Sequence, residues 1–213
     1  MLIRKEFTEE KGILGIWKIE ESSATLLSLF PEEMQPEARR ELQLLRTEKR
    51  SLEWLSTRLM AMMLSGKEPV VIRNRKDGKP YLENAAAHIT ISHTKGYAAI
   101  LLHETFPVGI DIEARSERVK KIASRLLSHG EWIDPAQESV HLLLHWSAKE
   151  SLFKLMDEQE IVFRKHLHIH PFTPATRGVM HAFESRSGND RSFDIRYEVT
   201  PEYVLTWVID TAS

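Results

Sequence analysis

Residues 107–113, with the sequence PVGIDIE, alternate between apolar and polar side chains and constrain the local fold more than any other segment. Successive side chains of a β-strand point to opposite faces of the sheet. One face of this predicted strand carries Val108, Ile110 and Ile112, and the other carries Gly109, Asp111 and Glu113. The Cα atoms of Asp111 and Glu113 should lie roughly 6.6 Å apart, so that both carboxylates can lean toward one cation.

A second segment, residues 146–154 with the sequence WSAKESLFK, lies in a run whose apolar residues recur with helical spacing. Glu150 and Lys154 are four residues apart and therefore share one face of the predicted helix. Together with Asp111 and Glu113, these residues make three acids and a lysine. Such a set predicts a site for a hard divalent cation plus a phosphate.

Each segment alone also has an ordinary structural explanation. An Asp-x-Glu pair on a strand is usually a solvated face, because half of a half-buried strand must be polar. A Lys-Glu-x-x-x-Lys pattern on a helix is usually a set of surface ion pairs. It is the combination of the two segments, in this order along the chain, that favours a functional site.

The pair of motifs strongly resembles the signature of the 4′-phosphopantetheinyl transferase superfamily, in which Gly-Ile-Asp-Ile-Glu precedes Trp-Ser-x-Lys-Glu-Ser-x-x-Lys. Upstream, residues 78–81 (GKPY) and 91–94 (ISHT) are similar to the Gly-Lys-Pro and Ser-His-Ser elements of that family. The resemblance covers residues 77–154 in detail. The chain length suits the two-lobed, broad-specificity type that activates surfactin synthetase.

This resemblance implies an enzyme that transfers the 4′-phosphopantetheine group from coenzyme A to a serine of an apo acyl or peptidyl carrier protein, releasing 3′,5′-ADP. Asp111, Glu113 and Glu150 would supply the oxygen ligands that Mg²⁺ prefers. Glu150 could also accept the serine proton. Lys154, one helical turn further on, would hold a phosphate oxygen or protonate the leaving group.

The resemblance also implies a set of coenzyme A contacts. Lys79, Ser92 and His93 match family positions that touch the nucleotide end, and Lys149 is a candidate for a second phosphate contact. Family members use basic groups of the N-terminal region on the 3′-phosphate. In this chain Arg50 and Arg58 are both candidates for that contact, and the sequence does not choose between them.

Composition sets further limits. The 213 residues include 28% charged and 42% hydrophobic residues, carry a formal net charge of -2 and contain no cysteine. We therefore expect a globular protein without disulfides, thiolate metal sites or a cysteine nucleophile. No nucleic-acid partner and no membrane association are expected, and the acidic N-terminal region differs from a signal peptide. A monomeric cytoplasmic protein follows as the expectation.

The order of predicted elements indicates an α+β chain. Strands are predicted at 12–19, 70–72, 88–91, 97–102, 107–113, 179–184, 193–199 and 203–209, and helices at 24–29, 36–64 with a break near Thr47, 117–127 and 136–157. The resemblance implies two similar lobes in one chain, a pseudo-dimer with the active site in the cleft between them. Residues 1–105 would form the nucleotide-contacting lobe and residues 106–213 the metal-binding and catalytic lobe.

Other interpretations remain open. The chain could be a coenzyme A or carrier-protein binding module without catalysis. His141 and His145 have the i, i+4 spacing of a zinc pair, and residues 166–170 (HLHIH) predict three histidines on one strand face. The chain also lacks the glycine-bearing turn that the family often has after Lys154, since residues 155–160 are LMDEQE.

Overall fold

A computed structural model describes residues 1–66, 70–83, 85–156, 160–186, 188 and 190–211. The chain divides into two compact units, Met1–Thr105 and Phe106–Ser213. Both units combine helices with antiparallel sheets, and this confirms the predicted α+β class.

The strands of unit 1 are β1 (Leu2–Phe7), β2 (Ile13–Lys18), β3 (Ile72–Asn74), β4 (Pro80–Leu82), β5 (His88–Thr94) and β6 (Tyr97–His103). Four of them form an antiparallel sheet in the order β1-β2-β6-β5, and β3 pairs with β4 in a separate hairpin. β5 and β6 are joined by the two residues Lys95 and Gly96, and Gly96 has a φ of 77°, the left-handed region that glycine adopts at no steric cost.

The helices of unit 1 are α1 (Ser23–Ser28), α2 (Gln35–Leu44) and α3 (Glu48–Ser65), with a short 3₁₀-helix at Glu32–Met34. Hydroxyl side chains cap the N-termini of α1 and α3. The hydroxyl of Ser22 accepts from the Thr25 amide, and that of Thr47 accepts from the Arg50 amide. The break predicted near Thr47 is therefore confirmed, because Thr47 begins a new helix.

Helix α3 packs against β2 and β6 and covers the core of unit 1. Trp17, Leu55, Met60 and Ile100 are among the fully buried side chains of this core. Gly15 permits the close approach of the helix, because a Cβ atom there would lie 2.7 Å from Leu64 Cδ1.

In unit 2 the strands are β7 (Val108–Ala114), β8 (Leu167–Ile169), β9 (Arg177–Glu184), β10 (Arg191–Val199) and β11 (Tyr203–Ile209). They form an antiparallel sheet in the order β7-β11-β10-β9-β8. The helices are α4 (Ala123–Leu126), α5 (Glu138–Leu155) and α6 (Phe163–His166), with 3₁₀-helices at Glu117–Ile122 and Pro135–Gln137. Helix α5 packs against β7 and β11, the two strands at one edge of the sheet.

Several predicted elements need correction. The segment Ser92–His93–Thr94 continues β5 and is not a loop, because only Lys95 and Gly96 are needed to close the hairpin. The short strand predicted at 70–72 lies at Ile72–Asn74, and the helix predicted at 117–127 is a 3₁₀-helix followed by one turn of α-helix. Strand β1 was not predicted. Within the described part of the chain, no helix combines the length and apolar character that a bilayer crossing requires.

Candidate active site

The carboxylate-bearing face of β7 is covered by helix α5 and is not a solvated face. Asp111 is 3% exposed. The helix comes closest at Gly109, where a Cβ atom would lie 2.0 Å from the carbonyl oxygen of Ser151. Glycine is therefore required at position 109, since any larger residue would push the helix away from the strand that carries the acids.

Three buried hydroxyl groups join helix α5 to the sheet beneath the acids. The Ser147 hydroxyl donates to the Asp111 carbonyl oxygen at 3.3 Å and lies 2.9 Å from Thr206 Oγ1. The Ser151 hydroxyl lies 2.7 Å from the same Thr206 oxygen. All three residues are fully buried. Both serines belong to the 146–154 motif, but sequence reasoning assigned them no role, because their partner Thr206 lies more than fifty residues further along the chain.

Helix α5 brings Lys154 and Trp146 to the strand acids. Lys154 Nζ donates to Asp111 Oδ1 at 2.7 Å and to the Ile110 carbonyl oxygen at 3.1 Å. Two residues further along β7, Glu113 Oε1 accepts a hydrogen bond from the indole N–H of Trp146 at 2.8 Å. The tryptophan of the motif thus orients one carboxylate, a role that sequence reasoning did not assign to it.

Glu150 lies in the electrostatic field of the same group. Burial, followed by the negative charge of Asp111, raises the pKa of the Glu150 carboxyl to about 7, although Lys154 partly opposes this. Burial and Asp111 likewise raise the pKa of Glu113, while its hydrogen bond from Trp146 lowers it. The structure therefore brings together Asp111, Glu113, Glu150 and Lys154, with more negative charge than the lysine neutralises.

The chemistry of this group fits a hard divalent cation. Three carboxylates supply only oxygen donors, which Mg²⁺ prefers. The raised pKa of Glu150 reflects its burial first and then the neighbouring negative charges, which a cation would offset. Among the described residues, no three acidic or histidine side chains are already arranged around a common point as metal ligands would be. Instead, the Lys154 ammonium is the group that lies against Asp111.

Lys149 is placed differently from the prediction. Its side chain is fully buried, and its ammonium donates to Glu131 Oε2 at 2.8 Å, to the Leu126 carbonyl oxygen at 2.9 Å and to Ser128 Oγ at 3.1 Å. Three acceptors thus satisfy its three N–H groups. The predicted phosphate contact of Lys149 is therefore corrected, since this lysine anchors the segment before helix α5.

His141 and His145, the residues with zinc-pair spacing, are packed into an aromatic cluster. Both are buried, and their ring centroids lie 5.1 Å apart. The His141 ring lies 4.5 Å from Phe172 and edge-on to Trp132, and its Nδ1 accepts from the Asp134 amide at 2.9 Å. The described residues contain no group of three potential ligands that would complete a metal site with this pair.

Burial of His141 predicts a weakening of the fold in acid. Burial, and then the neighbouring His145, lower its pKa from 6.5 to about 4. Between these values the unfolded chain binds the proton and the folded chain does not, so stability falls as the pH drops from 6.5 toward 4, by up to about 3 kcal/mol. Urea unfolding of the unmodified protein and of His141→Gln at pH 4.5 and 7.5 measures this difference.

We expect the loss of unfolding free energy between these two pH values to be smaller in His141→Gln, because glutamine does not titrate. His129→Gln is the matched control, since His129 is exposed. An equal acid-induced loss in all three proteins would show that another group causes it.

In unit 1, His93 lies near the end of β5 beside Arg50, with Arg50 Nη1 3.4 Å from His93 Nε2. Arg58 is engaged elsewhere. Its guanidinium lies 4.1 Å above the Trp54 ring, and burial lowers its pKa to about 10. Of the two arginines that the sequence left open, Arg50 is therefore the one that the structure places with a predicted coenzyme A residue.

The remaining predicted contacts lie on the same unit. Ser92 precedes His93 on β5 and is buried. Lys79 lies in the turn of the β3–β4 hairpin, where its amide donates to Asp77 Oδ1 at 3.0 Å. The coenzyme A roles of Lys79, Ser92 and His93 stay predictions.

The histidines at 166–170 do not share one strand face, because His166 ends helix α6 and strand β8 spans only Leu167–Ile169. His168 stacks on the Phe183 ring, with the centroids 4.5 Å apart, and its Nε2 lies 3.2 Å from Ser185 Oγ. Leu167 and Ile169 are buried, as predicted. Residues 157–159, which belong to the segment without the family's glycine turn, lie outside the described residues.

Residues 107–208, nearly all of unit 2, match the model of the 4′-phosphopantetheinyl transferase superfamily. The match includes Asp111, Glu113, Glu150 and Lys154 and so agrees with the resemblance in these motifs. It supports a phosphopantetheinyl transferase activity in general, with a carrier protein and coenzyme A as the partners that the family implies. No curated protein matches the chain.

Proposed function

We propose that this protein transfers the 4′-phosphopantetheine group from coenzyme A to a serine hydroxyl of an apo acyl or peptidyl carrier protein, with 3′,5′-ADP as the second product. One observation carries the proposal. The segment that matches the superfamily also brings three carboxylates and a lysine together on β7 and α5, as phosphoryl transfer by a metal enzyme requires.

The covalent step exchanges one P–O bond for another. The serine oxygen attacks the phosphorus that bears the pantetheine arm, and the bond from that phosphorus to the bridging oxygen of the pyrophosphate breaks. Glu150 is the candidate general base for the serine proton. A carboxyl whose pKa is about 7 is a stronger base than an ordinary glutamate, and about half of it is ionised at pH 7.

Asp111, Glu113 and Glu150 would hold Mg²⁺, which when bound supplies charge neutralisation for the pyrophosphate. Trp146 orients Glu113 for this purpose through its hydrogen bond. Lys154 adds a positive charge beside the acids and can donate to a phosphate oxygen. Lys79, Ser92, His93 and Arg50 are the proposed contacts of coenzyme A on unit 1.

The test is incubation with coenzyme A, Mg²⁺ and a panel of apo carrier proteins from fatty-acid, polyketide, nonribosomal-peptide and lysine pathways, read by intact mass. At least one carrier should gain the mass of phosphopantetheine, and chelation of Mg²⁺ should prevent the gain. If coenzyme A binds but no carrier in the panel is modified, the protein is better described as a binding module without catalysis.

A further inference from the structure

Glu53 is a buried carboxylate of unit 1 that has no part in the mechanism above. Its side chain is about 5% exposed, yet cationic and donor groups surround it. Glu53 Oε2 accepts from Arg50 Nη1 at 3.0 Å, and Glu53 Oε1 lies 3.4 Å from His93 Nδ1 and 3.6 Å from Lys49 Nζ. A carboxylate held out of water costs stability unless its partners compensate it, so this arrangement calls for an explanation.

The contacts of His93 favour one tautomer of the neutral ring. A guanidinium can only donate, so in a neutral ring His93 Nε2, 3.4 Å from Arg50 Nη1, is the nitrogen suited to accept. The proton of the neutral imidazole is then on Nδ1, which faces Glu53 Oε1. The Glu53 carboxylate thus contacts both groups, with one oxygen toward His93 Nδ1 and the other accepting from Arg50.

Exposure differs sharply within the group. The side chains of Arg50 and His93 are 61% and 37% exposed, whereas Glu53 is buried behind them. A ligand can therefore reach the arginine and the imidazole without displacing the carboxylate. This arrangement is expected of an anion-binding site in which a buried carboxylate orients the donor groups but does not contact the ligand.

We infer that Glu53 is the positioning residue of a site at which Arg50 and His93 bind a phosphate of coenzyme A, an inference that rests on the proposed function. When the phosphate binds, Arg50 Nη1 can turn from His93 Nε2 to a phosphate oxygen. Nε2 can then take up a proton from the solvent and donate it in a second hydrogen bond to the phosphate. The Glu53 carboxylate at Nδ1 stabilises the imidazolium that results.

Simple charge repulsion predicts the opposite effect of removing Glu53. A carboxylate near an anion repels it, so neutralising Glu53 should tighten the binding of coenzyme A if the residue only contributes its charge. A positioning role predicts weaker binding, because Arg50 and His93 lose the group that orients them and His93 loses the charge that supports its protonation. The sign of the change therefore separates the two roles.

The experiment is calorimetric titration of the full-length protein with coenzyme A. We expect Glu53→Gln to bind about tenfold more weakly than the unmodified protein, the loss of one charge-assisted hydrogen bond. Glu48→Gln is the matched control, because it removes the same charge from the same helix at a carboxylate that accepts from the Ser23 amide. It should bind coenzyme A normally. Unchanged or tighter binding by Glu53→Gln would overturn the inference.

A double-mutant cycle tests whether Glu53 acts through His93. His93→Gln alone should also weaken binding, but the double variant should lose less than the product of the two single losses, because the carboxylate has no imidazole left to orient. If the loss of affinity in the double variant equalled the product of the two single losses, the inference would be contradicted. Thermal unfolding checks that each variant is folded. Glu53→Asp, which keeps the charge on a shorter arm, replaces Glu53→Gln if that variant does not fold, and it should also weaken binding.

These measurements need neither a carrier protein nor transfer. If Glu53→Gln loses affinity while no carrier is ever modified, the positioning role stands and the proposed transfer is wrong. If carriers are modified but Glu53→Gln binds coenzyme A normally, only the positioning role is wrong. Failure of the unmodified protein to bind coenzyme A would overturn the positioning role directly.

Discussion

Glu150→Gln is expected to lower the rate of phosphopantetheine transfer at least about a hundredfold without destabilising the fold. The substitution removes the candidate base and one charged ligand of the proposed metal site. Stability should be unchanged or higher at neutral pH, because the fold disfavours the ionised carboxyl, as its pKa of about 7 indicates. Transfer rates by intact mass and urea unfolding at pH 7.5 measure the two effects.

Glu138→Gln provides the control for this substitution. Glu138 lies at the start of the same helix and pairs with Lys120 at 2.9 Å on the surface. Its replacement removes the same charge but should leave transfer unchanged. If Glu150→Gln retained Mg²⁺-dependent transfer at the rate of the control, the assignment of Glu150 to the catalytic site would be wrong.

The local structure of the site could be predicted because it is encoded within short segments. Alternation in residues 107–113 placed Asp111 and Glu113 on one face, and spacing on the helix placed Glu150 and Lys154 on another. The sequence did not show that helix α5 would cover the strand acids. Gly109 was the available signal, since a glycine in the middle of a strand often marks the close approach of another element.

Helical geometry could have separated Lys149 from the site. Successive residues of an α-helix are rotated by about 100°, so Lys149 cannot share the face on which Glu150 and Lys154 both lie. Its partner could not have been predicted, because Glu131 lies in an irregular segment eighteen residues earlier and carries no motif. Pairing across such a distance depends on how the segment packs, and single-sequence patterns do not report packing.

The same limit applies to unit 1. The i, i+3 spacing of Arg50 and Glu53 predicts a contact on helix α3, but the approach of His93 joins residues 43 positions apart. Pairing of β5 with β6 brings His93 to that position, and the strand was predicted to end before it. The Lys95-Gly96 pair was the overlooked sequence signal of a two-residue hairpin turn. In the structure Gly96 adopts the left-handed conformation, and β5 extends through Thr94.

Lys149→Met is expected to destabilise unit 2 by about 3 kcal/mol or more, because it leaves the Glu131 charge buried without its cation. Burial alone would raise the pKa of Glu131, yet His145 and Lys149 hold it at about 2. The Glu131 carboxylate also accepts from the amides of Ser128 at 2.6 Å and Ile169 at 2.7 Å. It therefore joins the segment before α5 to strand β8, and loss of Lys149 strains both connections.

The double variant Lys149→Met/Glu131→Gln separates a buried unpaired charge from lost packing. It should be more stable than Lys149→Met alone, because no charge remains in the interior and the glutamine oxygen can still accept one amide hydrogen bond. Lys120→Met is the control for the substitution itself, since Lys120 pairs with Glu117 and Glu138 on the surface and should contribute little. Urea unfolding at pH 7.5 compares the three variants. If Lys149→Met were no less stable than Lys120→Met, the Glu131–Lys149 pair would not anchor helix α5, and the structural role assigned to Lys149 would be wrong.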